Sequence, residues 1–155
     1  MYIDSQDRLW NSAALTTTAV STNAYDLHAP FRSGATQPDP TAGALLALVV
    51  NVEVAGAHVG TETYEFQVIN ASATDLTTGQ IVLATTGTIA TADVAAKLAA
   101  GVLLVLPIPP GVATLRYLGA KIVSANSAAV TVSGEIRAVN MLQEVKYYPS
   151  GFTIS

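Results

Sequence analysis

Two histidines, His28 and His58, are the groups in this chain best suited to moving a proton near neutral pH. His28 stands two residues after Asp26 and just before Ala29-Pro30, at what reads as a strand end. His58 falls in a loop bounded by Gly56 and Gly60, near Glu53 and Glu62. Pairing His58 with Glu62 would supply two ligands, short of the three or four that a zinc site takes from protein. Both histidines read as solvated loop residues, and no metal is expected. Asp4 and Asp7 are neighbours on a terminal segment rather than on a rigid scaffold. Glu53, Glu65 and Glu135 fall on the polar faces of strands. A glycosidase pair needs two carboxylates fixed across a cleft, whereas these read as solvated surface groups. There is no Gly-x-Ser-x-Gly, no P-loop and no dinucleotide fingerprint. The residue types predict no catalytic group and no cofactor, so the chain is not expected to be an enzyme.

The unusual residues lie at the ends instead. The only tryptophan, Trp10, closes the opening segment with Tyr2, Ile3 and Leu9, and the last residues carry Tyr147, Tyr148, Phe152 and Ile154. Terminal segments are commonly the least ordered part of a domain, and leaving large aromatic surface on a free tail is unfavourable. Burying one such side chain contributes about 1.5–3 kcal/mol. These eight residues are therefore the candidate interface with a partner or a sister copy. The rival placement for Trp10 is the chain's own core.

Composition supports an assembly role. Apolar residues make up 50% of the 155 and charged residues only 12%, about half the usual charged share. A surface so poor in charge offers little resistance to association. The formal net charge is −4, and the seven basic residues are scattered. Nucleic-acid binding requires a dense basic stripe, so none is expected. No apolar run approaches the 18 or more residues of a membrane span, and the start does not read as a secretory signal. The Asn70-Ala71-Ser72 sequon is then fortuitous.

The elements that must position these ends follow a period of two. Leu46, Leu48, Val50, Val52 and Val54 share one strand face. Tyr64, Phe66 and Val68 alternate with polar neighbours, and Val130, Val132, Ile136 and Ala138 alternate with Thr131, Ser133, Glu135 and Arg137. Residues 19–27, 81–85, 102–106 and 115–123 read as further strands, with a short one at 88–90. Thr78-Gly79, Thr86-Gly87 and Pro110-Gly111 read as turns, and residues 33–43 as a loop. The Pro107-Ile108-Pro109-Pro110 run reads as a strand stop. Arg116 and Lys121 read either as edge-strand gatekeepers or as contacts to an acidic partner. One helix is predicted at about 91–100, with Thr91 as N-cap, Val94 and Leu98 on one face, Asp93 paired to Lys97, and Gly101 at its end. The sum is an all-β chain: an antiparallel, jelly-roll-like β-sandwich with one short helix. It forms a single domain over 1–155, with extended arms at 1–14 and 145–155.

Several short stretches, in order, carry a family resemblance. They are Met1-Tyr2-Ile3-Asp4 before a Thr/Ala/Ser-rich strand, Asp93 to Gly101 before a Val/Leu strand, and Leu106-Pro107-Ile108-Pro109-Pro110-Gly111. Arg116-Tyr117-Leu118-Gly119 and Tyr148-Pro149-Ser150-Gly151-Phe152-Thr153 complete the set. Together they resemble the small capsid cement (decoration) proteins of tailed bacteriophages, typified by the Bordetella phage cement protein. The resemblance implies a structural virion protein on the outer capsid surface, cementing adjacent major capsid protein subunits. It also implies a homodimer or homotrimer, assembly in the host cytoplasm, and no catalytic residue. The alternative from another class is a carbohydrate-binding or adhesion module of a phage or bacterial surface assembly.

Overall fold

The computed structural model describes residues 8–27, 46–55, 60–109, 112–113, 115–125 and 130–138. Nine strands and one helix run through them: β1 (Arg8–Leu15), β2 (Ala19–Val20), β3 (Tyr25–Asp26), β4 (Leu46–Val54), β5 (Thr63–Ala71), β6 (Ile81–Thr85), α1 (Thr91–Lys97), β7 (Leu103–Ile108), β8 (Tyr117–Ala125) and β9 (Val130–Ala138). One sheet has the order β1-β9-β4-β7, the other β2-β8-β5-β6, with β3 also on β8. Every pairing is antiparallel. The pairs are nested along the chain: β5 with β6, β4 with β7, β2 and β3 with β8, β1 with β9. A long ribbon rolled into two packed sheets in this way is a jelly roll, and the all-β expectation stands.

The alternating residues explain the two layers. Leu48, Val50 and Val52 from one sheet meet Phe66, Val68, Leu118 and Ile122 from the other in a single buried cluster. α1 lays Val94 and Leu98 against that cluster, the shared face that the sequence predicts. Its N-cap is Ala90 rather than Thr91, with no side-chain cap. Thr91 is drawn into the first turn because its hydroxyl donates to the Glu62 carbonyl at 2.7 Å. The Asp93–Lys97 pair forms at 3.1 Å with both side chains more than half exposed, worth a few tenths of a kcal/mol at about 0.2–0.5.

A second, smaller cluster sits on the outer side of the β5–β8 sheet. Leu76, in the loop before β6, is fully buried there with Ile69 and Ala71. It adopts φ +59°, uncommon for a branched residue. The loop lies so low because Gly119 beneath it has no side chain: a Cβ there would come within 2.4 Å of Leu76 Cδ1.

Several sequence expectations change. Residues 8–14 are strand, not arm, because β1 pairs with β9 along its length. Residues 19–27 form two short strands, since Ser21 interrupts the ladder: its hydroxyl accepts the Ala120 N–H at 3.1 Å and donates to the Asn23 carbonyl at 2.8 Å. Asn23 then reaches the other sheet, donating from its backbone N–H to Leu9 and from Nδ2 to Arg8 at 3.1 and 3.0 Å. One side of the sandwich is thereby tied shut. Val54 leaves the buried face of β4 because a register shift follows Val52, and it is exposed. Pro107 continues β7 rather than stopping it, which an edge strand permits. Arg116 and Lys121 guard no edge, as β8 is paired on both sides. Asn70 is fully buried, so its sequon is closed in the folded protein.

Candidate functional site

Leu9 and Trp10 were assigned by sequence to an interface, and the structure puts both inside the chain's own sandwich at 0% and 1% exposure. A register shift on either side of Trp10 turns two consecutive β1 residues inward. The Trp10 ring meets Phe66 of the opposite sheet edge-on, centroids 6.5 Å apart at 78°. Space for it exists because its register partner is Gly134, where a Cβ would stand 3.0 Å from Trp10 Cε3. Trp10 thus bridges the two sheets, and neither residue is available as an exposed anchor. Tyr2, Ile3, Tyr147, Tyr148, Phe152 and Ile154 lie outside the described residues, as do His28 and His58.

The register does locate the points where the terminal segments attach. Arg8 opens β1 opposite Glu135, and Ala138 closes β9 opposite Leu46. Residues 1–7 and 139–155 therefore join the body at the same end of one sheet, from adjacent strands.

Of the carboxylates weighed for catalysis, Asp4 and Asp7 lie outside the described residues, and the three on strands are spread over both sheets. Glu53 and Glu135 belong to the β1-β9-β4-β7 sheet, Glu65 to the other, so no two face each other across a cleft. Each is engaged. Glu53 accepts the Ser12 hydroxyl, and Glu135 pairs with Arg137. Glu65 accepts from Gln67 Nε2 at 2.8 Å and Thr85 Oγ1 at 2.7 Å. Those two hydrogen bonds hold its carboxyl below the ordinary range, against a small opposing effect of burial. Asp75 is lowered in the same way by the backbone and hydroxyl of Thr77. Buried Glu62 accepts the Gly60 and Thr61 N–H groups at 2.8 and 2.9 Å, and burial, then the Glu62 charge, raises the Tyr64 phenol.

The remaining described charges are also satisfied internally. Arg8 donates to Asn11 at 2.8 Å and Lys121 to Gln80 at 2.9 Å. Arg116 forms a forked pair with Asp26 at 3.0 and 2.8 Å, which raises its already high pKa, and lies 5.1 Å over the Tyr117 ring. Among the described residues no three His, Cys, Asp or Glu side chains gather as a metal site would require, and no helix is long and apolar enough to cross a membrane. Among the described residues the charges that remain exposed, such as Lys97, Asp93 and Arg116, already have partners within the chain.

The Bbp16 family model matches residues 9–140, from the second residue of β1 to just beyond β9. The chain belongs to the Bbp16 family. This is a bacteriophage-related family, and the match takes in the whole jelly roll. No curated protein matches the chain.

On this Bbp16-family jelly roll the apolar surface that sequence reading missed lies on β7 and β6. Leu103 is 60% exposed and Val105 47%, on the edge strand β7, with Ile81 and Val82 similarly bare on the edge strand β6. The signal was present in Leu103-Leu104-Val105-Leu106-Pro107-Ile108, an apolar run without alternation. A strand buried on both faces reads that way, but β7 has only Leu104, Leu106 and Ile108 on the core side. Its other face is therefore apolar and open.

Proposed function

We propose that this protein is a structural component of a phage virion that binds the outer surface of the icosahedral shell and cements adjacent major capsid protein subunits. The observation that carries the reading is a jelly roll matched along its whole described length by the Bbp16 family model, with an exposed apolar stretch on its edge strands. A surface of that kind favours contact with protein over capture of phosphate or charged small molecules. Each copy contributes a modest contact, and repetition over a lattice turns modest contacts into avidity. The segments 1–7 and 139–155 serve as arms. Because they leave one end of the sandwich together, a single face-down orientation presents Tyr2, Ile3, Tyr147, Tyr148, Phe152 and Ile154 to the same neighbour. The protein acts here without a cofactor and without catalysis, at the outer surface of the virion.

Co-sedimentation with shells built from the cognate major capsid protein tests this. Binding at a fixed ratio to capsomers is expected, along with a higher shell melting temperature. Absence of co-sedimentation at saturating protein overturns the proposal.

A further inference from the structure

A strand at the margin of a sheet leaves alternate N–H and C=O groups of its backbone unpaired, and folded proteins commonly cover or blunt such margins. The margins of this sandwich differ in that respect. β1 is broken by register shifts on either side of Trp10, and Asn23 already donates to its Arg8 and Leu9 carbonyls. β2 and β3 are two residues long. β7 holds Pro107, which has no N–H to offer.

β6 is the least guarded. Ile81-Val82-Leu83-Ala84-Thr85 contains no proline and no charge, and the chain carries no charged residue from Leu76 to Ala92. Consecutive strand residues face opposite ways, yet Ile81 and Val82 are both nearly half exposed, the mark of a strand with no neighbour on one side. The charges nearest to it are on inner strands and are engaged. Glu65 on β5 accepts the Thr85 hydroxyl, and Lys121 on β8 donates to Gln80. The one irregularity of β6 is a register shift at Leu83, whose side chain packs toward the core.

We infer that an extended, uncharged segment of the major capsid subunit adds to the free edge of β6 as a further strand. The inference rests on the capsid reading above and names how that contact is made. Unpaired backbone groups select an extended chain, because another strand presents its donors and acceptors at the same spacing. The charge-free flank selects the side chains: a lysine or glutamate laid beside Ile81 and Val82 would lose water with no opposite charge to meet. Length selects the source. Five residues span about 17 Å, and a strip that short buries far less than the roughly 1,200 Å² that holds a free pair of proteins together. The shift at Leu83 shortens the regular ladder further. So small a contact is effective where a lattice already holds the partner close, as a shell does and a free second copy does not.

Hydrogen exchange on the protein bound to shells tests this. The Ile81–Thr85 amides that do not pair with β5 should gain at least about tenfold protection on binding, while those of β1 keep their free-state rates. A Val82→Lys variant, altered at an exposed side chain, should keep the parent melting temperature and bind shells about tenfold more weakly. Val54→Lys, as exposed but on the other sheet, should bind as the parent does. Shell binding without new protection on β6, or with Val82→Lys as tight as the parent, overturns the inference and leaves the capsid proposal standing. Protection of β6 that appears in the free protein and grows with its concentration assigns the edge to a second copy and also overturns it. A parent protein that does not bind shells overturns both.

Discussion

Replacing Trp10 by alanine separates a core role from an interface role in one variant. Trp10 is 1% exposed, bridges the sheets onto Phe66 and fills the space above Gly134. An aromatic side chain of this kind buries about 150–250 Å². At about 25 cal/mol/Å² that is roughly 4–6 kcal/mol of lost transfer energy. Partial collapse of the site recovers some of it, and large aromatic-to-alanine changes in cores cost about 3–5 kcal/mol. Gly134 and Leu48 border the vacated space, and a glycine has no side chain to swing into it, so the upper part of that range applies. A domain of this size loses about 2–4 °C of melting temperature per kcal/mol, giving a fall of roughly 8–20 °C. Differential scanning calorimetry and urea unfolding followed by far-UV circular dichroism measure it. In the parent protein the sole tryptophan should emit at short wavelength, and its spectrum should not move on binding a partner. A melting temperature within a degree or two of the parent, together with lost self-association, would refute the core placement.

Gly119→Ala should destabilise by about 1–3 kcal/mol through overpacking against Leu76; adding Leu76→Ala should absorb most of that cost, and strictly additive urea midpoints would contradict the contact. Asn70 donates to the Leu115 and Tyr117 carbonyls at 2.9 and 2.8 Å and accepts the Leu115 N–H at 2.8 Å; Asn70→Ala strands those buried groups and should cost about 1–3 kcal/mol by chemical denaturation. The lowered carboxyls of Glu65 and Asp75 contribute stability that is present above the unfolded-state carboxylate range and lost as pH falls through it toward the folded values. Urea midpoints should therefore drop on acidification below about pH 5, and Glu65→Gln should flatten part of that slope.

Strand positions were legible wherever one face met the core and the other met water. β9 and the first part of β5, residues 63–68, alternate cleanly, and β6 was readable from its flanking turns at Gly79 and Gly87, both at positive φ. What the chain hid were local exchanges of one hydrogen bond for another. Ser21 substitutes a hydroxyl for a ladder partner, which splits a strand that reads as continuous. The sequence left Trp10 open between interface and core, because neighbours on a strand normally face opposite ways and only a bulge turns Leu9 and Trp10 the same way. The candidate surface on β7 was hidden by the reverse problem: an apolar run does not say that one of its faces is bare.

The nested pairing also sets the order in which the chain is able to fold. β5 and β6 are joined by a short loop and meet at little entropic cost, whereas β1 must wait for β9, the last strand among the described residues. On a ribosome the segment holding Trp10 emerges well before Gly134, over which its ring packs. Until then an uncovered tryptophan and leucine travel with the nascent chain, the kind of exposed apolar surface that chaperones engage. Closure of the sandwich by β1 therefore follows the synthesis of β9. The sandwich is complete only when β1 and β9 have met.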